Sequence, residues 1–270
     1  MTVRIYDKSF ARQLCVNTVG QMPKHFSWRH EGDPGRVAWF TDSCLENALR
    51  TDAEIKVGWV LELPSLRTDP YDFIDSHQGL FTYTVAWDEY WRTENPNHTV
   101  CLALGSRLYP SDRQLYSKSK RVSIIASPRR ERSGYDLRHT LIETEGGNLD
   151  AYGQTYYRMP DDYKLMALAP YMFTVVIPRV KGVTTEAIYD AFLTGTIPIM
   201  WGKAIYDGTF DIAGCIQCET LAELQDAVRN VGIDDYKSRL QHVETNFNLA
   251  QSLSCPEDWL FDLHPHLFGM

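Results

Sequence analysis

Residues 171 to 202 carry the clearest succession of apolar and polar blocks in the chain. A β-rich apolar run, Tyr171 to Ile177, meets a turn holding Pro178 and Gly182. The amphipathic stretch from about Thr185 to Thr194 predicts a short helix, stopped by Gly195. A second apolar run, Ile197 to Trp201, closes at Gly202. The order predicts a strand–helix–strand unit, and such units build parallel sheets whose ligands sit at the carboxyl ends of the strands.

The same pattern, less sharply drawn, runs through the rest of the chain. Strands are predicted at Val3–Tyr6, Arg36–Phe40, Ile55–Leu61, Leu80–Ala86 and Thr99–Ala103, with helices near Cys44–Arg50, Tyr71–His77 and Glu89–Trp91. Leu104 to Ser119 reads as a linker with Gly105, Pro110, Ser111 and Asp112 as turn residues. A second series follows: a strand at Arg121–Ala126, a helix from about Tyr135 to Glu143 capped by Ser133, and the unit described above. A strand near Ile212–Gln217, a helix at Thr220–Asn230 and a long helix from Tyr236 to about Leu253 complete it. Alternating strands and helices indicate α/β domains with mostly parallel sheets. The expected division is 1–115, 116–250 and a Trp- and Phe-rich tail, 251–270, that packs back on the first domain.

Composition narrows the functional classes. A hydrophobic content of 44% fits a soluble globular protein. The net charge of −8 opposes a whole-protein attraction to nucleic acid or anionic membrane, though not a local basic site. No apolar run reaches the length that spans a bilayer, and the start of the chain has no signal-peptide core, so a cytoplasmic location is expected. Cys215-Ile-Gln-Cys218 is half of a zinc or redox motif, but the six cysteines are scattered through apolar segments and read as reduced, buried thiols.

Two segments hold candidate chemistry. In Gly58-Trp59-Val60-Leu61-Glu62-Leu63-Pro64-Ser65, an apolar strand ends in a carboxylate, which places Glu62 at the strand's carboxyl end. Asp75, His77 and Asp88 are fallback bases. In Ser127-Pro128-Arg129-Arg130-Glu131-Arg132-Ser133-Gly134-Tyr135-Asp136-Leu137-Arg138, a strand, polar loop and helix present backbone N–H groups and guanidinium groups together, as anion binding requires. Glu186 opens the helix of the first unit, where the helix dipole alone favours a carboxylate.

The chain also resembles the family-10 glycosyltransferases, the α-1,3-fucosyltransferases. Thr185-Glu186, Asp190-Ala191-Phe192, Ile197-Pro198-Ile199 and Trp201-Gly202 resemble their donor-binding motif. Trp59 to Ser65 resembles their Trp-x-x-x-Glu-Ser-Pro-Ser segment, and Phe81-Thr82-Tyr83-Thr84 a strand about 20 residues on. The resemblance covers roughly residues 55 to 220. It implies a GT-B architecture, in which two Rossmann-like domains face each other across a cleft, the first binding the acceptor and the second the nucleotide sugar. It implies an inverting transfer of a hexosyl, fucosyl or pentosyl group, with Glu62 as the base. Ser127, Arg138, Thr185 and Glu186 would bind the donor, GDP-fucose being the leading one. Two departures fall at the donor site: Ala187 stands where the family has a lysine, and Pro178-Arg179 stand for Glu-Asn. Arg179 or Lys181 would then supply the missing charge.

No Asp-x-Asp motif is present, so neither a metal nor a cofactor is expected beyond the nucleotide sugar and a carbohydrate acceptor. Two alternatives stay open: a viral-type enzyme that glycosylates modified bases in DNA, using the basic segment Lys118 to Arg132, and a non-catalytic nucleotide- or sugar-binding module.

Overall fold

The structure, a computed structural model, describes residues 1–10, 14–87, 89–91, 95–160, 163–203 and 209–270. The chain divides into two compact units, Met1–Gly105 with Cys255–Met270, and Ser106–Ser254.

The first unit is built on β1 (Thr2–Tyr6), β2 (Ser27–Arg29), β3 (Val37–Thr41), β4 (Ile55–Val60), β5 (Tyr83–Ala86) and β6 (His98–Val100), with α1 (Asp69–Ser76) joining β4 to β5. These strands form one parallel sheet in the order β2-β1-β3-β4-β5-β6. Trp39 and Trp59 on β3 and β4 are fully buried, with ring centres 5.6 Å apart. The expected helix at 44–50 is instead a 3-10 run, Asp42–Arg50. No helix forms at 89–91, a stretch too short to repay helix nucleation. There Trp91 Nε1 and the Tyr90 hydroxyl donate to the Asp75 carboxylate at 2.6 and 3.2 Å.

The second unit contains β7 (Lys120–Ile125), α2 (Ser133–Glu145), β8 (Asp150–Tyr152), α3 (Leu165–Leu168), β9 (Tyr171–Val176), α4 (Glu186–Phe192) and β10 (Ile197–Trp201). It continues through β11 (Ile216–Cys218), α5 (Leu221–Asn230), α6 (Ile233–Ser238) and α7 (Leu240–Ser252). Its sheet is also parallel, in the order β11-β10-β9-β7-β8. Every residue of β9 is buried, as a parallel strand covered on both faces requires. The predicted long helix breaks at Arg239, whose Nη1 donates to the Ala213 carbonyl at 2.5 Å. Ser133 is the first residue of α2 rather than its cap; Arg132 takes that position with extended backbone. The strand predicted at 212–217 begins only at Ile216, after a 3-10 turn at Ile212–Gly214.

After Ser254 the chain adds α8 (Pro256–Leu263) and a 3-10 turn, Pro265–Phe268, to the first unit. Phe268 packs there against Trp39 and Phe26, with centroids 5.1 and 4.9 Å apart. All six cysteines are free and buried. Among the described residues, no grouping of metal-ligating side chains includes Cys215 or Cys218.

Candidate active site

In each sheet the chain first adds a strand on one side and then returns to the other. That reversal leaves a crevice at the carboxyl ends of two adjacent strands, where open α/β sheets bind ligands. In the second unit the reversal lies between β7 and β9. In the first it lies between β1 and β3.

At the β7–β9 crevice, Ser127 follows β7 by two residues, and its hydroxyl is buried with no hydrogen-bond partner among the described residues. From the second turn of α2, Arg138 reaches across. Its Nε donates to the Ile177 carbonyl at 2.7 Å and its Nη2 to the same oxygen, just past the end of β9. Nη1 has no hydrogen-bond partner among the described residues. The guanidinium lies over the Tyr135 ring at 5.1 Å. Burial pulls its pKa down, Glu186 pushes it back up, and Arg179 opposes the charge, so these three side chains share one electrostatic neighbourhood. The first turn of α2 meets the β9–α4 loop closely. Gly134 N donates to the Arg179 carbonyl at 3.3 Å, and a Cβ on Gly134 would stand 1.8 Å from the Pro178 oxygen. Only glycine permits that approach.

Thr185 is the N-cap of α4 with extended backbone and makes no side-chain capping bond, and Glu186 is the first helical residue. Lys181 is turned to another task, pairing with Glu219 at 2.8 Å on the surface. Of the two cations weighed for the missing lysine, Arg179 is the one whose charge is felt at Arg138, where it opposes the guanidinium. Beyond the β10 end of the crevice, Gly202 has φ +84° and comes within 2.7 Å of the Gly182 nitrogen when a Cβ is placed on it, which packs that loop against the one bearing Lys181.

Lys164 is a cation the sequence pattern did not single out. Its Nζ lies 2.9 Å from the Asp190 carboxylate. Burial alone would lower its pKa, but Asp190 and Glu186 outweigh it and hold the group above the ordinary lysine value. Asp190 is itself buried and accepts from the Ser106 hydroxyl and the Arg107 N–H at 2.8 and 2.9 Å, so the Asp190-Ala191-Phe192 motif anchors the start of the unit. No spacing in the sequence links residues 106, 164 and 190; only the fold does.

The basic segment from Lys118 to Arg132 is not one surface. Lys118 is turned inward, donating to the Thr194 carbonyl at 2.7 Å, the Thr196 hydroxyl at 2.9 Å and the Ala169 carbonyl at 3.0 Å, and burial pulls its pKa down to about 7. Lys120 opens β7, whereas Arg129 and Arg130 follow the strand's other end, and Arg130 is paired with Asp136 and Glu143. A six-residue strand, roughly 20 Å long, separates the two groups. DNA as an acceptor therefore gains no support.

The first unit gathers carboxylates at its own crevice. Asp7 follows β1 and accepts from the Thr41 hydroxyl at 2.6 Å. Asp42 follows β3 with φ +35°, a left-handed backbone that a non-glycine residue adopts at a cost. Its two carboxylate oxygens hold that conformation, Oδ1 accepting from Leu61 N and Oδ2 from the Ser9 hydroxyl, each at 2.9 Å. Burial holds the Asp42 carboxyl above its usual range; the Leu61 N–H and Ser9 pull it down, and Glu62 adds to the rise. Glu62 thus lies near Asp42, two residues past β4, half-buried, with its carbonyl accepting from the Tyr71 hydroxyl at 2.9 Å. Asp7 and Asp42 had no signal in the sequence beyond their position after apolar runs.

The fallback bases are not brought to this edge. Since α1 leaves the carboxyl edge and runs back to the start of β5, its last turn, with Asp75 and His77, lies at the opposite end. There His77 Nδ1 pairs with the Phe73 carbonyl at 2.8 Å, and Asp75 serves as the acceptor for Trp91 and Tyr90. Asp88 lies outside the described residues.

Among the described residues, no helix is long and apolar enough to cross a membrane. No protein-family model matches the chain. No curated protein matches it either. Solved structures do. An α1,3-fucosyltransferase with GDP-fucose superposes with a TM-score of 0.54 at 14% identity, covering 94% of this chain and 90% of that one. The α1,3-fucosyltransferase with GDP gives 0.53 at 13% identity, covering 95% and 92%. The likeness is one of fold: this chain has the α/β architecture, with two parallel sheets, of the GT-B glycosyltransferases.

Proposed function

We propose that this chain is a glycosyltransferase that moves a sugar from a nucleotide diphosphate to a hydroxyl of a carbohydrate acceptor, with inversion at the transferred carbon. The observation that carries the reading is the convergence at the β7–β9 crevice. Near the end of this parallel sheet stand a buried hydroxyl with no partner among the described residues (Ser127) and a guanidinium group (Arg138) that feels the charges of Glu186, the carboxylate opening α4, and of Arg179. Arginine nitrogens match phosphate oxygens in geometry and charge. A carboxylate accepts from the two ribose hydroxyls.

In this reading Arg138, through Nη1, and Arg179 stabilise the charge that grows on the departing diphosphate. Such preorganised groups contribute most when charge develops in the transition state. Thr185 and Glu186 hold the nucleoside, and Lys181 borders the site. Glu62 takes the acceptor proton as the glycosidic bond forms. GDP-fucose is the leading donor, by the sequence resemblance and because a similar fold has been solved with it.

A thermal-shift panel of GDP, UDP, ADP and their sugar conjugates, followed by turnover with an oligosaccharide acceptor, tests the proposal. A ligand at about 100 times its dissociation constant adds about 2.7 kcal/mol of stability. Stabilisation by one nucleotide diphosphate and its release from the sugar nucleotide are expected. Binding without release in any acceptor would make the chain a non-catalytic nucleotide-binding module. No stabilisation by any nucleotide would end the reading.

A further inference from the structure

A cavity of about 770 Å³ opens beside the edge strand β8, among the residues that begin β7 and β8 and those that lead into β9. It contains none of the residues assigned above to nucleotide or acceptor. Its polar wall is one connected cluster. The buried Tyr171 hydroxyl donates to the Asp150 carboxylate at 2.5 Å and lies 2.7 Å from the Tyr152 hydroxyl. Lys120 Nζ donates to that same Tyr171 oxygen at 3.1 Å and stands 3.4 Å from Asp150 Oδ2. Burial, with Asp150 next, raises the Tyr171 pKa, so the phenol stays neutral and the cluster carries one positive and one negative charge.

The rest of the lining is aromatic and apolar, and the Tyr157 ring packs on Tyr152 with centroids 5.5 Å apart. Tyr157 is 61% exposed and Tyr163 39% exposed, and both line the cavity with Leu165 and Met166. Burial and then the nearby Asp112 carboxylate raise the Tyr163 pKa, so its hydroxyl stays neutral. Isolated large apolar residues on a surface need no explanation. Two tyrosines lining one cavity together with a paired carboxylate and ammonium are a different matter.

We propose that this cavity binds a neutral oligosaccharide. The charges of Lys120 and Asp150 cancel, which removes any preference for an anion such as a phosphate. Half-exposed, they remain an acceptor and a donor for hydroxyl groups. Tyrosine rings offer flat faces to the C–H side of a pyranose and hydroxyls to its rim. The volume of about 770 Å³ falls within the range of small-ligand sites. The inference stands apart from the proposed transfer reaction.

Saturation-transfer NMR on the full chain tests it, with glucose, galactose, N-acetylglucosamine, lactose, cellobiose and maltotriose as probes, each with and without saturating GDP. At least one probe should receive saturation, and GDP should not displace it. Tyr157→Ala and Asp150→Asn should each weaken that binding about fivefold or more, while Tyr157→Trp retains it. Tyr157 is exposed, so its removal leaves the fold intact, as an unchanged melting temperature would confirm. Transfer to none of the probes overturns the proposal. So does transfer that GDP abolishes, which would locate the saccharide at the nucleotide crevice, or transfer unchanged in both weakening variants.

Discussion

Gly134→Ala adds a single methyl group, and its consequences can be worked from the geometry. The new Cβ would lie 1.8 Å from the Pro178 oxygen and 2.9 Å from its carbonyl carbon, whereas real Cβ atoms keep at least 3.0 Å. Both obstacles are backbone, so no side chain can swing aside, and α2 and the β9–α4 loop must part by at least about 1.2 Å. Alanine in a helix gains up to about 1 kcal/mol over glycine. Overpacking against fixed backbone costs about 1–3 kcal/mol. The net should be a loss of stability of up to about 3 kcal/mol. The functional loss should be larger. Arg138 is carried by α2 and hydrogen-bonds the Ile177 carbonyl, and Arg179 follows two residues on, so parting the two backbones separates the groups that would hold the diphosphate. A misplacement of about 1 Å costs on the order of 10²-fold in rate. The assay is sugar transfer from GDP-fucose together with GDP binding by calorimetry. Gly147→Ala, just past the same helix, is the control: nothing lies within 4 Å of its Cβ, so activity should not change. A Gly134→Ala protein as stable and as active as Gly147→Ala would refute the reasoning.

Other outcomes follow from the same geometry. Arg138→Ala should lower turnover by about 10²- to 10³-fold, and Arg138→Lys should restore little, since an ammonium cannot both hold the Ile177 carbonyl and face a phosphate; unchanged kcat would remove Arg138 from the site. Glu62→Gln should cut transfer by about 10²-fold while GDP affinity stays near normal; weak nucleotide binding with intact turnover would make Glu62 a binding residue instead. Glu257, fully buried in the first unit, has its carboxyl pushed up to about 7 by burial, although Val16 N and Trp28 Nε1 donate to it at 2.7 and 3.1 Å. A raised folded pKa favours the protonated form, so its contribution is complete below the unfolded value near 4.5 and is lost as pH climbs to about 7. Unfolding free energies from denaturant titrations read by tryptophan fluorescence should therefore fall across that window by about 3 kcal/mol in the wild type and stay flatter in Glu257→Gln, and identical pH slopes would contradict this.

The sequence by itself determined the elements whose pattern is local. β9, α4 and β10 lie where the apolar run, the amphipathic stretch and the second run predict them, and Thr220 caps α5 through the bond its side chain accepts from Glu223 N. The α/β class follows from the same alternation. The three-residue strands β2 and β8 escaped because so few residues give no periodicity; their pairing with β1 and β7 alone makes them strands. The break at Arg239 escaped for a related reason, since Arg239 is an ordinary helix former whose role is set by the distant Ala213 carbonyl.

The site divides along the same line. The strand-end position and the family resemblance pointed to Glu62, and the resemblance to Ser127, Arg138, Thr185 and Glu186, as single residues. Only the tertiary structure decided that Arg138 feels the charges of Arg179 and Glu186, that Lys181 is spent on Glu219, and that Lys164 and Asp190 lock together across 26 positions. It also brought Asp7 and Asp42 to the edge that holds Glu62. The physical reason is strand order. Periodicity records which face of an element is buried, but the crevice arises where the order of strands in a sheet reverses, and that is a property of long-range pairing.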